Sequence, residues 1–167
     1  PAAAPERLNL LKRILPSHGL PSRPVDILDR EMANTWVVHG ARGGDAVHAV
    51  GVFNWDAGKP LDMSESLERL DLDPAKSYVG FDFWANAFVP PFTGALRGTI
   101  SPGACRILSL RETAKRPLLV GTSRHVTQGF VDVLDEQWDG KAGILSGTSR
   151  VVAGDRLTEG PINPMDI

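Results

Sequence analysis

The chain has 167 residues, 42% of them hydrophobic and 23% charged, which excludes a disordered polypeptide and leaves enough length to bury the core of one domain. Lys and Arg number 18 against 20 Asp and Glu, a formal net charge of −2 with no basic stripe, and this argues against nucleic acid as a partner. No apolar run approaches the roughly 20 residues of a membrane-spanning helix, so no membrane partner is expected, and the single cysteine, Cys105, rules out an internal disulfide.

Residues 1–33 differ in pattern from the rest. Pro5 is placed to open a helix, since its missing N–H costs nothing in the first turn. Leu8, Leu11, Ile14 and Leu15 then recur at the spacing of one helical face, with Arg7, Lys12 and Arg13 elsewhere. Pro16 stops the helix, and Pro16, Gly19, Pro21 and Pro24 predict an irregular stretch after it. One helix of about ten residues is not stable alone and needs a surface on which to bury its leucines.

From Thr35 the period changes to two. Thr35–His39 and Ala46–Trp55 are predicted to form a hairpin around a glycine-rich loop from Gly40 to Asp45. Within Leu61–Leu72 a single helical turn is predicted, capped by Asp62 with Glu65 three residues on. Further strands are expected at Ser77–Ala85, Ala95–Ser101, Ala104–Arg111, Leu118–Ser123, Phe130–Trp138, Gly143–Gly147 and Ser149–Ala153, with Pro90-Pro91 as a break. Cys105 lies in an alternating run and reads as a small strand residue rather than a reactive thiol. Gly-Thr-Ser-Arg occurs at 121–124 and at 147–150, and without flanking similarity it is taken as chance rather than duplication. Seven to nine short strands with Gly/Pro turns predict an all-β, antiparallel Greek-key sandwich with a short amino-terminal helix.

Chemistry is harder to find. Gly121-Thr122-Ser123-Arg124-His125 lacks the second glycine of a nucleophile elbow, and no phosphate-binding or dinucleotide loop is present. His18, His39, His48 and His125 are well separated; His39 and His48 fall on neighbouring hairpin strands but without a third ligand, so no metal and no cofactor are expected. Glycoside hydrolysis needs two carboxylates at a set separation. Asp82 is the carboxylate to examine, because it interrupts an apolar strand and shares a face with Gly80 and Trp84. Buried, it could serve as an acid; otherwise it is hydrogen bonded to a nearby turn or to a neighbouring domain. Trp36, Trp55, Trp84 and Trp138 raise sugar binding, since exposed rings at strand ends make platforms for saccharides. The same residues would equally plug the sandwich or cover a seam with another domain, and that reading is preferred. The candidate substrate-binding residues are therefore Trp55, Trp84, Trp138 and Asp82, with none assigned as catalytic.

The wording of several segments is distinctive: Tyr-Val-Gly-Phe-Asp-Phe-Trp-Ala-Asn from Tyr78, Gly-Ala-Leu-Arg-Gly-Thr-Ile-Ser-Pro-Gly from Gly94, and Ala-Cys-Arg-Ile-Leu-Ser-Leu-Arg ending at Arg111. Together with Val50–Asp56, Arg116–Gly129 and Gly143–Asp155, and so from about Pro24 to Asp155, the chain resembles the C-terminal β-sandwich that follows the catalytic barrel in α-galactosidase (melibiase)-like glycoside hydrolases. The resemblance implies an accessory domain that buttresses the barrel and helps shape one rim of its sugar cleft. Both catalytic aspartates of such enzymes belong to the barrel, so none carries over. It further implies that residues 1–33 are the last helix of a barrel and its linker, that 34–167 form the sandwich, and that the parent is extracytoplasmic. The expected partner is the barrel of the same chain, with an oligosaccharide as a second candidate. An autonomous carbohydrate-binding module is the alternative, and an independent small enzyme a third. One departure is the tail Gly-Pro-Ile-Asn-Pro-Met-Asp-Ile, which replaces a further strand expected to finish the sandwich.

Overall fold

The structure, a computed structural model, describes residues 4–151 and the backbone of 159–162. Helix α1 (Pro5–Ile14) precedes strands β1 (Ser22–Pro24), β2 (Thr35–Arg42), β3 (Asp45–Phe53), β4 (Leu61–Ser66), β5 (Tyr78–Asp82) and β6 (Ala87–Phe92). Then come β7 (Ala95–Ile100), β8 (Cys105–Glu112), β9 (Leu118–Thr122), β10 (Val133–Asp139), β11 (Ile144–Ser149) and β12 (Glu159–Ile162). Every pairing is antiparallel. The chain is an all-β, sandwich-like fold with one short helix, and no helix of the described residues is long and apolar enough to cross a membrane.

The main sheet runs β1-β2-β3-β8-β5-β6. On one face, Val37, Val50 and Leu108 lie side by side across β2, β3 and β8 and pack on Leu96 and Ile100 from the β4–β7 pair, with Leu67 and Leu70 closing the layer. Each such side chain, once buried, contributes about 1.5–3 kcal/mol. On the other face Val79 and Phe81 of β5 meet Leu118 and Val120 of β9, which pairs with β12. Strands β5 to β8 follow a Greek-key path: β6 pairs with β5, β7 crosses to β4, and β8 returns to the far side of β5.

Several local expectations change, each for a physical reason. The β2–β3 loop is shorter than Gly40–Asp45: Arg42 pairs with Asp45, and Gly43 and Gly44 make a two-residue turn with φ of 56° and 86°. Residues 22–24, expected to be irregular, form the edge strand β1, so the sheet begins before Thr35. Leu61–Ser66 is a strand paired with β7, not a turn capped by Asp62, because Met63 is buried and Asp62 and Ser64 are exposed in period two. The tight turn comes one step later, where the Leu70 amide donates to the Ser66 carbonyl. Strand β6 continues through Pro90 and Pro91, which an edge tolerates because those positions owe no N–H to a neighbour. The predicted strands Phe130–Trp138, Gly143–Gly147 and Ser149–Ala153 reduce to a β10–β11 hairpin, in which the single strand Ile144–Ser149 replaces the last two, with 152 and 153 outside the described residues. The tail supplies a strand after all: β12 pairs with β9 through Pro161.

Helix α1 buries none of its residues. Its carboxyl end is attached through the Val126 amide, which donates to the Arg13 carbonyl at 2.8 Å, and through the Arg13 guanidinium, 4.5 Å from the Phe83 ring and 5.0 Å from that of Trp84.

Candidate functional site: an aromatic groove on the main sheet

Asp82 ends β5 and is buried. Its Oδ1 accepts the Trp84 and Ala85 amides at 3.1 and 3.2 Å, and its Oδ2 accepts Arg106 Nε at 2.6 Å. Both oxygens are thus engaged in closing the turn and tying β8 to β5. The strand alternation stops at Asp82, so Trp84 belongs to the turn and not to a face shared with Gly80. Trp84 is half-buried, edge-on to Phe83 at 4.9 Å. Trp138 is half-buried on the β10–β11 hairpin, opposite Leu145. Asp82 and Trp84 share the turn after β5, whereas Trp138 sits on the β10–β11 hairpin and Trp55 just past the end of β3, so the structure joins only the first two directly.

Trp55 has different company. Trp36, Gly51 and Ile107 sit in register across β2, β3 and β8, and Val38, Ala49 and Ser109 make the next row. Small residues on the central strand between larger ones on its neighbours leave a trough in the sheet. Phe53 folds over Gly51, where an added Cβ would come 3.2 Å from its ring. Trp55 lies parallel to Phe53, with ring centroids 5.2 Å and planes 8° apart, and its indole N–H donates to the Ala33 carbonyl at 2.9 Å. One face of the indole is thus stacked and its edge anchored, while the side chain stays 53% exposed. His18, Val126 and Thr127 complete a groove of about 450 Å³, within the range of about 300–1,000 Å³ common for small-ligand sites.

Phe53, His18 and Thr127 were not anticipated. Phe53 was legible in part, because Gly51, Phe53 and Trp55 alternate and so share one face. His18 and Thr127 reach the groove from remote loops and leave no local signal. The His18 Nδ1 accepts the Leu20 amide at 3.0 Å, so the neutral ring carries its proton on Nε2.

Other polar clusters belong to the fold. Buried Arg111 joins Glu136 and Asp45, and Arg42 donates to the carbonyls of Leu119 and Gln128. Burial first, then the charge of Arg111, lowers Arg42 to about 10. His125 Nδ1 lies 2.9 Å from Asp132. Burial holds the Cys105 thiol above its ordinary range, which leaves it poorly nucleophilic. Among the described residues, no group of three or more His, Cys, Asp or Glu could hold a metal ion.

No protein-family model matches the chain, and no curated protein matches it.

Proposed function

We propose that this chain is a non-catalytic accessory domain of a glycoside hydrolase similar to the α-galactosidases, seated against a catalytic barrel and buttressing it. The observation that supports this reading is the run of exposed large apolar side chains in the amino-terminal segment: Leu8, Leu11, Ile14, Leu15, Leu28 and Met32, with Leu28 96% exposed. Apolar surface concentrated in one segment marks a contact with another body. Covering it contributes about 1.5–3 kcal/mol per large side chain. The occupied carboxylates agree with a role without chemistry: Asp82 closes a turn, and Glu136 neutralises Arg111. In enzymes of the resembled type the barrel carries both catalytic aspartates.

The test has two parts. Reading the gene upstream of Pro1 should reveal a barrel-length segment of roughly 250 residues or more. The purified chain should turn over no aryl α- or β-glycoside from acidic to mildly alkaline pH. Turnover that disappears on Asp82→Asn, or an upstream frame without a catalytic domain, overturns the accessory reading.

A further inference from the structure

The groove has three properties that together specify a ligand class. First, the free face of Trp55 is a flat apolar surface held in place before anything binds, because the Phe53 stack and the Ala33 hydrogen bond restrain the ring. Neither contact needs that face to remain in water, and a preorganised ring binds at little entropic cost. Second, polar residues are among those lining the groove, namely His18, Ser22 and Thr127, and the Leu20 contact at Nδ1 leaves the His18 Nε2–H uncommitted to it. Thr127 is 4% exposed, and its Oγ1 has no hydrogen-bond partner among the described residues. That oxygen is itself closed to solvent, so the polar groups open to a ligand are those of His18 and Ser22. Third, among the described residues no Asp, Glu, Lys or Arg lines the groove, so a charged ligand would be desolvated there without a counter-charge from them.

We infer that this groove is a binding site for an uncharged saccharide, with a sugar ring stacked on Trp55 and its hydroxyls met by His18 and Ser22. A pyranose offers an apolar C–H face to the indole and hydroxyls that both donate and accept. A purely aliphatic ligand would use the aromatic wall but make no use of the His18 and Ser22 groups. The inference goes beyond the accessory role and does not depend on it, because an accessory domain can lack a sugar site and a sugar-binding module can lack a barrel.

The test is titration of the intact chain with neutral xylo-, cello-, manno- and galacto-oligosaccharides, followed by tryptophan fluorescence and calorimetry. At least one should bind saturably. Trp55→Ala should weaken that binding about tenfold or more, equivalent to about 1.4 kcal/mol, in a domain that still unfolds cooperatively. His18→Ala, which leaves the stack intact, should weaken it as well, and this variant decides the matter if Trp55→Ala folds poorly. Trp138→Ala, at a residue that does not line the groove, should leave binding unaltered. Failure of every neutral probe to saturate overturns the inference, as does binding undiminished in both groove variants or tighter binding of an oligogalacturonate.

Discussion

Arg111 Nη1 lies 2.7 Å from both carboxylate oxygens of Glu136, and the two side chains are buried at 1% and 7% exposure. The pair joins β8 of the main sheet to β10 of the hairpin, and Glu136 Oε1 also accepts the Leu119 amide at 3.2 Å. Removing the carboxylate takes the buried counter-charge from Arg111 and Arg42 together and leaves Arg111 only the more exposed Asp45. Glu136→Ala should therefore destabilise the domain by about 3–5 kcal/mol in urea unfolding, the usual cost of breaking a buried pair from one side. A loss below about 1 kcal/mol, the surface ion-pair range, would show the cluster to be solvated.

The histidine pair should make stability depend on pH. His39 Nδ1 and His48 Nδ1 are 2.8 Å apart, one donating to the other, with both rings neutral. Burial, then the charge of His39, lowers His48 from 6.5 to about 4, and burial lowers His39 in spite of nearby Asp71. In the unfolded chain both titrate near 6.5, so below that pH the unfolded state binds more protons. The neutral pair's contribution is fully present above about 6.5 and is lost as pH falls toward about 4. Melting temperature measured across that window should fall less steeply in His48→Phe than in the parent. Parallel curves would remove the pair as a cause.

Asp82→Asn should act on stability, since the carboxylate holds a turn and Arg106. Hydrogen bonds to charged groups contribute about 1.5–3 kcal/mol, and chemical denaturation should show a loss of that order. An unchanged midpoint would mean that the turn holds without the carboxylate.

Deletion of the amino terminus should separate two parts that look alike in sequence. Removing residues 1–15 takes away a helix with no buried residue and should barely move the melting temperature. Removing residues 1–24 also takes β1, whose Ser22–Pro24 pairs with Trp36–Val38, and should lower it clearly. Amide exchange should be fast across Pro5–Ile14 and slow across Cys105–Glu112, the strand flanked on both sides in the sheet. Equal destabilisation by both deletions would make α1 part of the core.

The alternation of Val50, Val52 and of Leu108, Leu110 by itself determined that these segments are strands facing a core, because one-sided burial imposes a period of two. Pro5 and Pro16 likewise determined a helix and its limit, since proline fits the first turn and breaks a later one. Where partners lie far apart in the chain, only the tertiary structure decided. Leu61–Ser66 is a strand because β7 offers it a ladder and the core takes Met63, which outweighs a local capping pattern. Pro90-Pro91 continue a strand because they fall on the sheet edge, a position invisible until β5 and β8 are paired. The groove was decided the same way: Gly51, Phe53 and Trp55 share a face by alternation, but Trp36, His18 and Thr127 join them only when β2 and two loops fold onto β3. Local sequence sets which way a side chain points on its own strand, whereas a site is made by what packs opposite it, and that depends on contacts between residues distant in the chain.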